Sequence, residues 1–90
     1  MDKWAKQYDY LKNVMDLIET TSILLGYDTN SSESHLNFWK TPYQTTIILD
    51  KHEAGFPVMK FIFGKSSASL VEIRNHKEQE RALKNILRNL

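Results

Sequence analysis

Three histidines, one Gly-Lys-Ser triplet and a run of cations near the C-terminal end are the residues of this chain with types suited to chemistry. His35, His52 and His76 are well separated, none has H-x-x-x-H or H-E-x-x-H spacing, and no cysteine is present to complete a zinc site. His52 and Glu53 are adjacent, so on a strand they would point apart. Asp50 and Glu53 read as turn residues rather than as a carboxylate pair for acid–base work. Gly64-Lys65-Ser66 follows an expected strand, as the end of a phosphate-cradling loop does. The full loop needs a glycine five residues before Gly64, and Met59 stands there. No serine sits in a G-x-S-x-G setting. The expectation is a protein that is not an enzyme and carries no metal or cofactor.

The cations are more regular. Lys77, Arg81, Lys84 and Arg88 recur at steps of four, three and four, and Arg74 continues the series. On a helix they form one basic ridge, lateral or opposite to the apolar stripe Leu83, Ile86, Leu87 and Leu90. Such a ridge can track phosphates, each contact adding a salt-dependent increment. It lacks the interleaved aromatics and the Asn or Gln at helix-start positions that read bases. An acidic protein surface is the other polyanion it suits. As a plain solvated face it has local partners in Glu80–Lys84 and Glu78–Arg81 spacing, and its late cations complement the helix dipole.

Phe38, Trp39, Tyr43, Phe56, Phe61 and Phe63 make a large aromatic group for so short a chain. Most belong in a core. Trp39 and Tyr43, flanking Lys40-Thr41-Pro42, are candidates for exposed contact anchors, and Lys40 goes with them.

The elements that must position these residues follow from periodicity. Trp4, Tyr8, Leu11, Met15, Ile18, Ser22 and Leu25 repeat at alternating steps of four and three, so residues 2–25 are expected as a helix. Val14, Leu17 and Leu24 would widen its apolar stripe, and Gly26 suits a left-handed helix end. The stripe would lie on a sheet or, alternatively, form a seam for a second chain with Trp4 and Tyr8 as anchors. Residues 27–35 are polar and turn-rich and read as an exposed loop. Leu36–Trp39 is a short strand that Pro42 would end or confine to an edge. Gln44–Asp50 and Phe56–Phe63 are strands, separated by a loop over 51–55, and Gly64–Ser67 is a hairpin turn. Within Phe56–Phe63, Met59, Phe61 and Phe63 share one face, and Val58, Lys60 and Ile62 the other.

Residues 68–74 admit two readings. Ser69 and Glu72 have capping-box spacing, which would start one long helix from 69 to 90. The final stripe, extended backwards at about 100° per residue, passes near Gln79 and His76 and leaves Leu70 and Ile73 off it. A strand over 68–74, with Asn75 capping a separate helix, fits better. The expected architecture is therefore α+β: an N-terminal helix, an antiparallel meander of three to four strands, and a C-terminal helix, both helices on one sheet face.

Ninety residues with 41% hydrophobic and 26% charged side chains suit one small globular domain spanning 1–90. Without disulfides the core alone, or a partner chain in a homodimer, must hold it. No run reaches the roughly 20 apolar residues of a membrane span. The charged start, Met1-Asp2-Lys3-Trp4, does not read as a signal peptide, so a cytoplasmic location without membrane contact is expected. The net charge of +1 hides an asymmetry. Residues 1–56 hold five lysines and eight acids, whereas residues 57–90 hold seven bases and three acids. Nine lysines against three arginines, with frequent Asn and Ile, match the usage of AT-rich genomes and their phages.

The α-β-β-β-α order resembles that of double-stranded RNA-binding domains in outline. That family carries a Gly-Pro-x-His loop and a lysine-rich start to its last helix. Here His52, Gly55 and Pro57 come in another sequence, and the last helix begins His76-Lys77-Glu78-Gln79. The resemblance is one of order alone. The leading expectation is a non-catalytic module that binds and regulates or inhibits a protein partner. Small inhibitors from phages and mobile elements, anti-CRISPR proteins among them, have this profile. The alternative is nucleic-acid binding through the basic ridge.

Overall fold

The computed structural model describes residues 3–51 and 56–90, with side chains from Ala5 onward. Helix α1 spans Lys3–Leu24. Five strands follow: β1 Asp28–Ser32, β2 His35–Lys40, β3 Tyr43–Lys51, β4 Pro57–Phe63 and β5 Leu70–Ile73. A 3₁₀ turn, Ser67–Ser69, leads into β5, and helix α2 spans His76–Arg88. The strands pair in sequence order, each antiparallel to the next. The class and order are those read from the sequence, with one strand more. The outline shared with double-stranded RNA-binding domains weakens accordingly.

Leu11, Met15, Ile18 and Ser22 of α1 are buried, as their spacing requires. They bear on this chain's own core, so that stripe is not a seam for a second chain. The Trp4 end of the stripe lies outside the described side chains. Tyr8 is half-buried against the core, and the Lys51 ammonium stands 4.9 Å from its ring centre. The expected widening fails at two positions. Val14 packs against the core, but Leu17 is 51% and Leu24 80% exposed. Both lie more than 100° around the helix from Leu11, beyond the arc that faces the sheet.

Gly26, at φ 88°, ends α1. Its N–H donates to the Ile23 carbonyl at 3.0 Å, and the Tyr27 N–H donates to the Ser22 carbonyl at 2.9 Å. This double closure satisfies carbonyls that a helix end otherwise leaves open.

Residues 28–32 correct the expected loop over 27–35. They form β1, with Asp28 opposite Trp39 and Ser32 opposite His35. The segment is polar because it is an edge strand over which little apolar surface has to be covered. Strand alternation then sorts the sheet. Leu36, Phe38, Ile47, Leu49, Met59 and Phe61 share one parity and form a single buried cluster with Leu11, Met15, Ile18 and Leu83. The other parity carries Asn37, Trp39, Gln44, Thr46, Ile48, Lys60 and Ile62, none of them in that cluster. There Asn37 donates to the Thr46 hydroxyl at 2.8 Å, Gln44 donates to Asn37 at 3.3 Å, and Lys60 pairs with Asp50 at 3.2 Å. The mixed face expected for Val58, Lys60 and Ile62 is this one.

The strand reading of 68–74 holds: Met59 to Ile62 of β4 pair with Ile73 to Leu70 of β5. Ser69 caps no long helix. Instead Ser66 caps the 3₁₀ turn, accepting from the Ala68 N–H at 3.1 Å, so the turn after Gly64 is longer than a tight hairpin. Residues 52–55, with His52 and most of the loop after β3, lie outside the described residues. No described helix is long and apolar enough to cross a membrane.

Candidate interaction surface

Helix α2 organises the surface. Asn75 caps it, its side-chain oxygen accepting from the Glu78 N–H at 3.1 Å. Glu78 in the first turn and Arg88 in the last match the helix dipole. Leu83 is fully buried, and Ile86, Leu87 and Leu90 pack against the core.

Gln79 occupies the phase that the apolar stripe points to, and it is 0% exposed. Its amide nitrogen donates to the Pro57 carbonyl at 2.9 Å and to the Ile73 carbonyl at 2.8 Å. Its oxygen accepts from Gln7 at 3.1 Å. One side chain thus joins α2 to β4, to β5 and to α1, and each of its strong polar atoms is used. Sequence reasoning located the phase but not this role. A glutamine where a leucine would continue the stripe was the available signal. His76 opens α2 and stacks edge-on with Tyr10 at 6.0 Å between ring centres.

The four helix cations come together. Lys77, Arg81, Lys84 and Arg88 line one shallow groove along α2 with Glu80 and Asn85. Arg74 does not join them: it lies before the helix and pairs with Glu72 at 2.8 Å. Lys84 pairs with Glu80 at 2.7 Å. The hydrogen bond from Lys84 holds the Glu80 carboxyl below its ordinary range, and the same bond raises the Lys84 ammonium above its own. Lys77, Arg81 and Arg88 have no carboxylate partner among the described residues.

The Trp39–Tyr43 segment divides. Trp39 is opposite Gln44 and Lys40 is opposite Tyr43, so the two rings project from opposite sheet faces. Tyr43 is 79% exposed, whereas Trp39 is half-buried. The Lys40 ammonium donates to the Leu25 carbonyl at 2.9 Å and stands 4.8 Å from the Tyr27 ring centre. It is a clasp on the end of α1. Sequence reasoning could not assign this, because its acceptor is a main-chain oxygen fifteen residues upstream.

A feature missed from the sequence adjoins the ridge. Between the second half of α2 and the sheet lies a cleft of about 610 Å³. Phe61, Phe63, Val71 and Ile73 of β4 and β5 form its floor, and Ala82, Asn85 and Ile86 of α2, with Asn89 just after it, its wall. Tyr43, Tyr27 and Leu90 also line it. Phe63, stacked on Phe61 at 6.5 Å, is 48% exposed within it. Leu83 is driven into the core near the middle of the helix, whereas the residues after it are only partly covered. No sequence window contains the cleft, since its walls come from residues 27 to 90.

His35 begins β2 and His76 begins α2, and no metal-holding group of three His, Asp or Glu occurs among the described residues. Comparison of the chain with family models, with curated proteins and with solved structures finds no match. The functional reading rests on the residues and their geometry.

Proposed function

We propose that this chain is a non-catalytic interaction module that binds a protein partner in the cytoplasm and regulates or inhibits it. The contact surface is α2 with the cleft beside it. The observation that carries this reading is the cleft itself. A volume of about 610 Å³ opening beside half-exposed Phe63 and Val71 and the nearly bare Tyr43 is apolar surface that water covers poorly. Small size and the absence of a recognisable catalytic set fit an inhibitor of the kind phages and mobile elements direct at host defences, anti-CRISPR proteins included. The test is affinity capture from host lysate, with and without nuclease, using the wild-type chain and a Phe63→Asp variant. A protein retained after nuclease treatment and lost with the variant supports the reading. Capture that disappears with nuclease overturns it.

The second reading, nucleic-acid binding, is favoured by one observation: Lys77, Arg81 and Arg88 line a groove without carboxylate partners among the described residues. Binding to random duplex DNA or RNA that weakens steeply with added salt is its expected signature.

A further inference from the structure

The cleft and the basic groove share a wall residue, Asn85. Arg81 lies four residues before it and Arg88 three after, so both are its neighbours on the helix surface, with Cβ atoms about 5–6 Å apart. A group seated in the cleft against Phe63, Val71 and Ile86 therefore has two arginines of the adjoining groove next to it on the helix, across Asn85. Neither arginine has a carboxylate partner among the described residues. Guanidinium groups in this state suit a carboxylate or a phosphate, either of which they can grip through two parallel hydrogen bonds.

From this juxtaposition we infer that the occupant of the cleft is an acidic, amphipathic segment of a partner protein. Its large apolar side chains fill the cleft, and carboxylates next to them in sequence meet Arg81 and Arg88. The inference deepens the reading of the chain as a protein-binding module and rests on it. The apolar anchors supply the buried contact, and the paired charges fix register and exclude basic segments. A nucleic acid would use the arginines but leave the cleft empty. A second copy of the chain would fill the cleft without requiring acids.

The test is selection from a library of random dodecapeptides on the immobilised full-length chain, followed by affinity measurement of the enriched peptides. Enrichment of sequences joining two or more acids to a bulky apolar residue is expected. An Arg81→Glu/Arg88→Glu variant, altered only on the exposed helix face, should bind those peptides weaker by about tenfold or more. Val71→Asp should abolish binding, with circular dichroism verifying the fold. Enriched peptides that bind through the cleft without acid preference, or with affinity unchanged by the arginine reversal, overturn the inferred chemistry while leaving protein binding intact. If no peptide is enriched, or if light scattering shows a dimer that Phe63→Asp dissociates, the inference falls together with the cleft's role as a partner site.

Discussion

At the scale of single residues, Gln79 is the side chain on which most depends. Its three hydrogen bonds lie within or at the edge of the core, where an unmade bond costs more than a made one contributes. Gln79→Ala removes the side-chain donor to the Pro57 and Ile73 carbonyls and opens space beside Leu83. A loss of about 2–4 kcal/mol is expected in urea unfolding. Gln79→Leu fills the space but restores neither of these hydrogen bonds, so it should recover only part of that loss. Glu80 offers a second test. Its folded pKa lies below the unfolded value because Lys84 donates to it. Its contribution to stability is therefore present above the ordinary carboxylate range and is lost as pH falls through the depressed folded value. A carbon-detected NMR titration should place the Glu80 midpoint below that of a free glutamate, and Lys84→Met should move it back up. An unshifted midpoint in the wild type would remove Lys84 as its partner and add one more uncompensated cation to the groove.

At the scale of elements, the helices were legible and the sheet was legible except at one edge. The four-three rhythm identified α1 because helix burial repeats at that period, and Gly26 marked its end because the closing turn needs positive φ. The stripe phase separated β5 from α2, and Asn75 does cap the latter. Asn75→Ala should cost about 1 kcal/mol in urea unfolding, with Asn75→Asp close to wild type. Strand β1 was not legible. Asp-Thr-Asn-Ser-Ser carries neither β-branched alternation nor apolar residues, and only its register with β2 makes it a strand. Local preference was overruled by the neighbouring strand, from Ser32 opposite His35 to Asp28 opposite Trp39. Four members of the basic ridge could be read, since they share one helix and one spacing, whereas Arg74 precedes the helix and turns instead to Glu72. The cleft could not, because it is a gap between elements rather than a property of any of them. Trp39 and Tyr43 looked like one contact pair, and strand alternation sends them to opposite faces.

At the scale of the whole molecule, the five strands are laid down in chain order, so no strand pairing spans a long loop. Such a ladder loosens most readily from an end, and β5 is an end strand held by four paired positions. Taken alone, this would let β5 and α2 peel away as a unit, removing the wall of the cleft and the β5 part of its floor at once. The Gln79 bonds oppose that motion, because α2 cannot lift without breaking contacts to the first residue of β4 and to α1. Amide-exchange protection at Leu83 should therefore match that at Ile47 in the wild-type chain, both reporting complete opening. In Gln79→Ala the two should part, with α2 and β5 exchanging through a cheaper, partial opening while β3 stays slow. Buried deep beneath the contact surface, an uncharged amide would then govern how long that surface stays assembled, and a substitution that never touches a partner would shorten the lifetime of every complex made there.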